Sequence, residues 1–169
     1  MFSKSKYMML IGFVLVVLSA CSPNKTERTI EEKNPELEVS STFSIPVTFE
    51  EGKDGEYILV GEKGKLAFQI GSGLENETIE LSPIRAKQPN KYMWYLWGAD
   101  LGNKPFKVIG TNADTEEDLV VVEDRVLGAK FNGADAHTPS LMEFPTAGLW
   151  KLDAYIDEEL FGSIVVEIK

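Results

Sequence analysis

His137 is the residue that most readily suggests catalysis, because it is the only histidine among 169 residues. Asp135 and Ser140 lie close to it in sequence, so one short stretch contains an acid, a base and a nucleophile. A hydrolytic triad needs these groups in mutual hydrogen-bond contact. The stretch lacks the strand-turn-helix elbow that exposes a catalytic serine, and Pro139 interrupts it. We therefore expect Asp135 and His137 to bond the loop's own backbone, and we predict no catalytic residue.

The acidic loop, residues 112–118, is the second candidate. Four oxygen-bearing residues occupy the first, third, fifth and twelfth positions of an EF-hand calcium loop, namely Asn112, Asp114, Glu116 and Glu123. The match fails at Glu117, where the sharp turn of an EF-hand requires glycine, and residues 119–122 predict a strand rather than a helix. A solvated acidic turn is the favoured interpretation, with a weak calcium site as the alternative. A zinc site would need three or four ligands, so no metal and no cofactor are expected.

Cys21 is the only thiol, and the segment before it has the composition of a secretory signal. Two lysines lie ahead of an apolar run over residues 7–18, and the small residues Ser19 and Ala20 precede the cysteine. The run is too short for a membrane span, which needs roughly 20 residues. The pattern predicts a cleaved signal peptide over residues 1–20.

Residues 18–21, Leu-Ser-Ala-Cys, resemble the lipobox of bacterial lipoproteins. The resemblance implies that the Cys21 thiol receives a diacylglyceryl group, that the chain is cut before it, and that the new amine is acylated. Two or more acyl chains give stable anchoring, whereas one gives only marginal binding. The expected location is therefore the outer face of the cytoplasmic membrane, with no thiol left for a disulfide.

The charge of the chain limits its partners. Residues 1–20 contain two of the 17 basic residues and none of the 27 acidic ones, so their removal changes the formal net charge from −10 to −12. An acidic surface argues against nucleic acid, which binds through neutralised phosphates, and against lying flat on anionic lipid. The lipid on Cys21 is the expected membrane contact. The expected partner is an envelope protein or a cell-wall component, and the chain is expected to be a monomer.

The remaining chain divides into a tether and one domain. Residues 21–41, the lipidated cysteine and the polar segment after it, predict a disordered tether because they cannot bury enough apolar surface. Residues 42–169 are long enough to bury one ordinary core. Strands are predicted at residues 43–49, 57–60, 65–70, 79–81, 91–98, 106–109, 119–123, 125–131, 149–156 and 160–168. Pro46 places the first of these at a sheet edge, and residues 132–140 are expected to be a loop.

The succession of short strands without a helical period predicts an all-β fold, an Ig-like antiparallel β-sandwich. A barrel would give a similar pattern.

Residues 91–98, KYMWYLWG, are the most apolar stretch after the signal peptide, and both faces of the strand are apolar. One face carries Tyr92, Trp94 and Leu96, and the other carries Met93, Tyr95 and Trp97. A sandwich strand normally buries one face and exposes the other to water. A loop, such as residues 98–105 or part of 82–90, could cover the second face. The alternative is that Tyr95 and Trp97 form an exposed interaction patch.

Residues 91–98, 133–140 (GADAHTPS), 148–152 (GLWKL) and 161–167 (FGSIVVE) resemble a family of small lipoproteins of Bacillus and relatives. The likeness covers most of the mature domain. It implies a Gram-positive envelope protein with an Ig-like fold, and it supplies no catalytic or binding residue. The leading hypothesis is a non-catalytic, membrane-anchored binding module. The alternative is an accessory solute- or cation-binding lipoprotein that uses the acidic loop, and an enzyme comes third.

Overall fold

The structure is a computed structural model that describes residues 37–75 and 77–169. This part of the chain forms ten strands and one short 3-10 turn, Glu50–Gly52. The strands are β1 (Thr42–Thr48), β2 (Asp54–Glu62), β3 (Leu66–Leu74), β4 (Glu80–Leu81), β5 (Asn90–Leu96), β6 (Pro105–Asn112), β7 (Asp118–Val126), β8 (Ala136–Met142), β9 (Gly148–Ile156) and β10 (Glu159–Ile168). Within these two ranges there is no helix of the length and apolarity that a membrane crossing requires.

The strands form two antiparallel sheets that pack face to face. The larger sheet has the order β1-β2-β3-β5-β8, with β4 paired to the end of β3, and the smaller sheet has the order β10-β9-β6-β7. The predicted all-β sandwich is confirmed, and the barrel alternative is wrong. In the larger sheet the first three strands of the domain, β1, β2 and β3, lie side by side, whereas one sheet of an immunoglobulin constant domain has the strand order A-B-E-D. Many sandwich domains share this architecture without sharing a topology.

The main core lies between the sheets and is built by strands whose alternate residues are apolar. On β9 every second residue points inward and is buried: Trp150, Leu152, Ala154 and Ile156. Trp94 of β5 lies across from them, with its ring centroid 5.0 Å from that of Phe68 and 5.4 Å from that of Phe106 in the smaller sheet. These rings therefore join the two layers directly.

Proline marks both edges of the larger sheet. Pro46 lies in β1, which is the edge strand that the sequence predicts. Pro139 lies in β8, at the opposite edge, and this strand was expected to be a loop. That prediction is wrong because the inward residues of β8 before Met142 are small or polar, so most of the strand has no apolar alternation to reveal it. Residues 127–131, predicted as strand, lie instead in the β7–β8 connection.

The domain begins slightly before the predicted boundary at residue 42. The Ser40 N–H donates to the Val165 carbonyl at 2.8 Å, and the Val165 N–H donates to the Ser40 hydroxyl oxygen at 2.9 Å. The Ser41 carbonyl accepts a hydrogen bond from the Gly61 N–H at 3.0 Å. Both serines, assigned to the tether from the sequence, are thus bonded to the sandwich. The predicted signal peptide, Cys21 and the tether up to residue 36 lie outside the described residues.

Candidate functional site

The outer face of the larger sheet carries a second, smaller core. We call it the outer-face cluster; its buried members are Leu59, Ala67, Tyr95 and Ala134, and the side chains of Phe43, Ile45, Tyr57, Met93 and Trp97 pack around them. Strands β1, β2, β3 and β5 all contribute to it. The outer face of this sheet is therefore not the polar, solvated surface that an antiparallel sandwich strand usually presents.

Residues 128–135, which we call the cover loop, fold across this face. The Trp97 Nε1–H donates to the Gly133 carbonyl at 2.8 Å. The Gly98 N–H donates to Asp135 Oδ2 at 3.0 Å. These two bonds attach the cover loop to the end of β5, so the loop shields apolar surface that would otherwise face water.

The cover loop decides between the two explanations offered for the aromatic strand. Tyr95 is 0% exposed, and its ring stacks on Phe131 of the cover loop with centroids 6.2 Å apart. The exposed-patch hypothesis is therefore wrong for Tyr95. Trp97 is half-buried, and its contact with a partner stays a prediction. A loop does cover the face, but it is neither residues 98–105 nor residues 82–90.

The hydroxyl of Tyr95 has a structural role within this cluster. It donates to Gln69 Oε1 at 3.2 Å, and burial raises the pKa of Tyr95 to about 12. Burial raises a tyrosine pKa because the charged phenolate is poorly solvated there. Tyr95 is therefore protonated at neutral pH and is a permanent donor to its neighbour on β3.

His137 and Ser140 do not assemble a triad. They are three residues apart on β8, so their side chains point to opposite faces of the sheet. The buried Ser140 hydroxyl accepts a hydrogen bond from Trp94 Nε1–H at 2.9 Å in the main core. On the outer side, His137 Nδ1 donates to the Ala129 carbonyl at 2.7 Å. Each side chain therefore stabilises its own layer, and no base lies beside the serine.

Asp135 stabilises the backbone rather than orienting His137. Its hydrogen bond from the Gly98 N–H, and then the Lys130 ammonium 3.3 Å away, hold the pKa of Asp135 below its usual value. His137 bonds a backbone carbonyl, as expected, but that of Ala129, which lies before the loop predicted at residues 132–140. For Asp135 the backbone partner is instead the Gly98 N–H, two residues beyond the end of β5.

The acidic loop does not gather its oxygens around one point. The Asn112 side-chain oxygen accepts hydrogen bonds from the Asp114 N–H at 2.8 Å and the Thr115 N–H at 3.2 Å. Glu123 lies five residues along β7 from Asp118, a distance of about 16–17 Å at the usual strand rise. In residues 37–75 and 77–169, no three His, Cys, Asp or Glu side chains are grouped so as to hold a metal ion. This geometry gives the calcium alternative no support.

A groove of about 1040 Å³ adjoins the outer-face cluster beside the 3-10 turn, and we call it the outer-face groove. Its aromatic lining consists of Phe49, Tyr57 and Phe131. The Phe49 and Tyr57 rings have centroids 5.7 Å apart and planes at 78°, so the two rings form a corner. Aromatic side chains with a few polar groups are the usual lining of a ligand site. The outer-face groove is therefore the candidate binding site.

Two local features position the aromatic side chains of the groove. Gly55 of β2 leaves space for Phe49, since a Cβ atom at Gly55 would lie 2.5 Å from Phe49 Cε2. The cover loop contributes Phe131, whose ring is 37% exposed. The shape of the groove thus depends on the close approach of Phe49 to Gly55 and on the position of the cover loop.

The rim of the groove is acidic. Its carboxylates are those of Glu50, Glu51 and Glu77, and Lys53 is the one basic residue among its described lining residues. Lys53 Nζ lies 2.9 Å from Glu51 Oε2, so its charge is already paired. Neither Glu50 nor Glu77 forms an ion pair with any residue that the structure describes. The rim thus has two negative charges in excess.

Similarity to known proteins is consistent with this fold. The family described as "Domain of unknown function (DUF4871)" matches residues 40–166. The structure is similar to a solved crystal structure described as that of a "Putative Lipoprotein from Bacillus anthracis", with a TM-score of 0.55 and 18% sequence identity. The alignment covers 89% of this chain and 99% of that chain. At this identity the likeness shows a shared fold. No curated protein matches the sequence.

Proposed function

Because the chain belongs to the family described as "Domain of unknown function (DUF4871)", which assigns no activity, we propose a function from its own residues. The chain is a lipoprotein anchored by Cys21 to the outer face of the cytoplasmic membrane. Its sandwich domain is a non-catalytic binding module of the cell envelope. The outer-face groove is the observation that carries the binding role, because it combines an aromatic corner with an acidic rim on one accessible surface.

The anchoring half of the proposal rests on sequence. Two lysines, a short apolar run, small residues and the only cysteine follow one another in the order of a lipoprotein signal. The "Putative Lipoprotein" from Bacillus anthracis, whose fold is similar, supports the same assignment. A lipid anchor places the domain outside the cytoplasm, next to envelope proteins and the cell wall.

The non-catalytic half rests on how the polar side chains are used. His137 and Ser140 lie on opposite faces of β8, and each is hydrogen-bonded within its own layer. Asp135 is bonded to backbone and to Lys130. A nucleophile adjacent to a base is the usual signature of covalent catalysis, and these three residues do not provide it.

Cys21→Ala is expected to abolish attachment of lipid. Without the thiol no thioether can form, so the precursor should accumulate uncleaved or be cut elsewhere. Metabolic labelling with an alkyne fatty acid in a Bacillus host, followed by fractionation of the cells, measures both effects. Ser22→Ala is the matched control and should remain labelled and membrane-bound. Label that persists on the Cys21→Ala chain would contradict the anchor.

Glu50→Gln combined with Phe131→Leu is expected to reduce retention of the protein by an isolated envelope fraction about tenfold or more. Loss of one aromatic anchor at a binding surface commonly costs 1–2 kcal/mol, and 1.4 kcal/mol is a factor of ten in affinity. Co-sedimentation of the detergent-solubilised full chain with the envelope fraction measures retention.

The matched control for that experiment is Glu159→Gln combined with Leu160→Ala. These residues lie on β10 of the smaller sheet and are exposed, so the pair removes the same charge and some apolar surface outside the groove. Retention of the control should equal that of the original chain. Equal losses for the two double variants would show that the groove is not the binding surface.

A further inference from the structure

We propose that the outer-face groove binds an organic ammonium group, the charged end of a quaternary or alkylated amine. The inference rests on the proposed function, because it assigns a ligand class to the same groove. It follows from three properties of the groove: the arrangement of its rings, the charge of its rim and its size.

The rings provide the first argument. A cation above the face of an aromatic ring is attracted by the negative potential of that face, and aromatic cages recognise quaternary ammonium groups in this way. Phe49 and Tyr57 meet at 78°, and Phe131 is a third ring of the same groove. Rings set at a large angle can contact a rounded trimethylammonium group from more than one side.

The charge of the rim provides the second argument. Glu50 and Glu77 have no ion-pair partner among the described residues, and the one lysine of the lining is already paired with Glu51. A negative ligand would meet like charge, and a neutral ligand would cover carboxylates without pairing them, which is unfavourable. A cation is the complementary ligand, and the formal net charge of −10 would also favour its approach.

The same residues distinguish an organic cation from a metal ion. Calcium takes six to eight oxygen ligands at short distance. The described part of the chain has no cluster of three acidic, histidine or cysteine side chains suited to a metal. Three of the groove's 13 described lining residues are aromatic, and the faces of their rings offer a hydrated metal ion no oxygen ligands. An alkylated ammonium needs none, because its methyl groups can contact the rings directly.

The size of the groove provides the third argument. Its volume of about 1040 Å³ is at the upper end of the usual range for ligand sites, roughly 300–1000 Å³. A trimethylammonium group fills only a small part of such a space. The groove therefore has room for the ammonium and for the molecule that carries it.

Titration of the detergent-solubilised full chain with choline, followed by NMR, tests the proposal. The control ligand is 3,3-dimethylbutan-1-ol, which has the shape of choline with carbon in place of nitrogen and no charge. Choline is expected to bind at least about tenfold more tightly, since cation–π contacts contribute about 0.5–1 kcal/mol per exposed ring. Sodium chloride at equal ionic strength controls for salt. Equal affinity for choline and the alcohol overturns the proposal.

Two variants test whether the groove is the site. Phe131→Leu keeps an apolar side chain but removes the ring, and should weaken choline binding about two- to fivefold while leaving the alcohol unchanged. Glu50→Gln with Glu77→Gln should weaken choline binding to a similar degree. The matched control, Glu116→Gln with Glu123→Gln, removes the same charge from exposed positions outside the groove. If both double variants weaken choline binding equally, the loss reflects the overall charge of the protein, and the assignment of the groove as the binding site is overturned.

A vesicle experiment identifies the source of the ammonium. Phosphatidylcholine vesicles present the group on a lipid, and phosphatidylglycerol vesicles of the same size do not. Groove-dependent binding of free choline supports a soluble ligand, and groove-dependent binding to phosphatidylcholine vesicles alone supports a lipid head group. Absence of both overturns the proposal. If the groove variant still loses retention by the envelope fraction, the binding role stands and only the ligand class is wrong.

Discussion

Replacement of Trp94 by alanine is expected to lower the free energy of unfolding by about 3–5 kcal/mol, the usual cost of removing a large core aromatic side chain. Trp94 is 0% exposed and its ring contacts rings of both sheets. Its loss would also leave the buried hydroxyl of Ser140 without the donor that now lies 2.9 Å away. Urea unfolding of the mature chain, followed by circular dichroism, measures the change.

Trp150→Ala and Trp97→Ala provide the comparison. Trp150 is 1% exposed in the same core, so its replacement should cost a similar 3–5 kcal/mol. Trp97 is half-buried beneath the cover loop and donates to the Gly133 carbonyl, so we expect a cost of about 1–3 kcal/mol. A change well below 3 kcal/mol at Trp94 would mean that the aromatic contacts between the sheets are not the centre of the core.

Local sequence patterns were sufficient to predict the final hairpin. On β9 every second residue is apolar, and the two-residue turn that follows, Asp157 and Glu158, connects directly to β10. Both turn residues have positive φ, as in the type I′ turns that suit the twist of a hairpin. Alternation and turn position are short-range properties, so a single sequence contains them. The sequence misplaces the turn by one residue, because neither turn residue is glycine.

The same reasoning fails at β8 because the inward and outward side chains of this strand differ little in polarity. The inward residues Ala136, Thr138 and Ser140 are as small or as polar as those of a loop, and Pro139 normally argues against a strand. β8 is stabilised by its pairing with β5 along seven residues of each strand. This information lies in the partner strand, more than 40 residues away, rather than in the stretch itself.

The candidate site could be predicted only in part. The sequence showed that both faces of the aromatic strand are apolar, and therefore that something must cover the second face. It could not show that the cover comes from the connection between β7 and β8, because each nearby loop is equally able to fold back. The groove is harder to predict than the cover, because Phe131 lies 74 residues from Tyr57 in the sequence. Only the folded chain brings these rings together beside Glu50.

Gly61→Ala is expected to be as damaging as loss of a core tryptophan, although it adds a single methyl group. Gly61 has φ +141°, a conformation that residues with a side chain rarely adopt, and such backbone strain costs about 1–3 kcal/mol. A Cβ atom there would lie 2.3 Å from the Leu66 carbonyl oxygen and 2.8 Å from Ala67 Cα. The obstacle is backbone of the paired strand, so the hairpin itself must shift, and overpacking adds about 1–3 kcal/mol. We expect a total loss of roughly 2–6 kcal/mol, a range that includes the cost of losing a core tryptophan.

Two other glycines separate the contributions to that loss. Gly64 has φ +77° but no atom within 4 Å of an added Cβ, so Gly64→Ala should cost only the strain of the left-handed backbone, about 1–2 kcal/mol. Gly102 has neither a positive φ nor a close neighbour, and Gly102→Ala should stay within about 0.5 kcal/mol of the original stability. Urea unfolding of the three variants should therefore rank them Gly61, Gly64, Gly102 in order of decreasing loss. Equal losses at Gly61 and Gly64 would mean that the β2–β3 hairpin can open to admit a side chain, and that the close approach of β2 to β3 is not required for the fold.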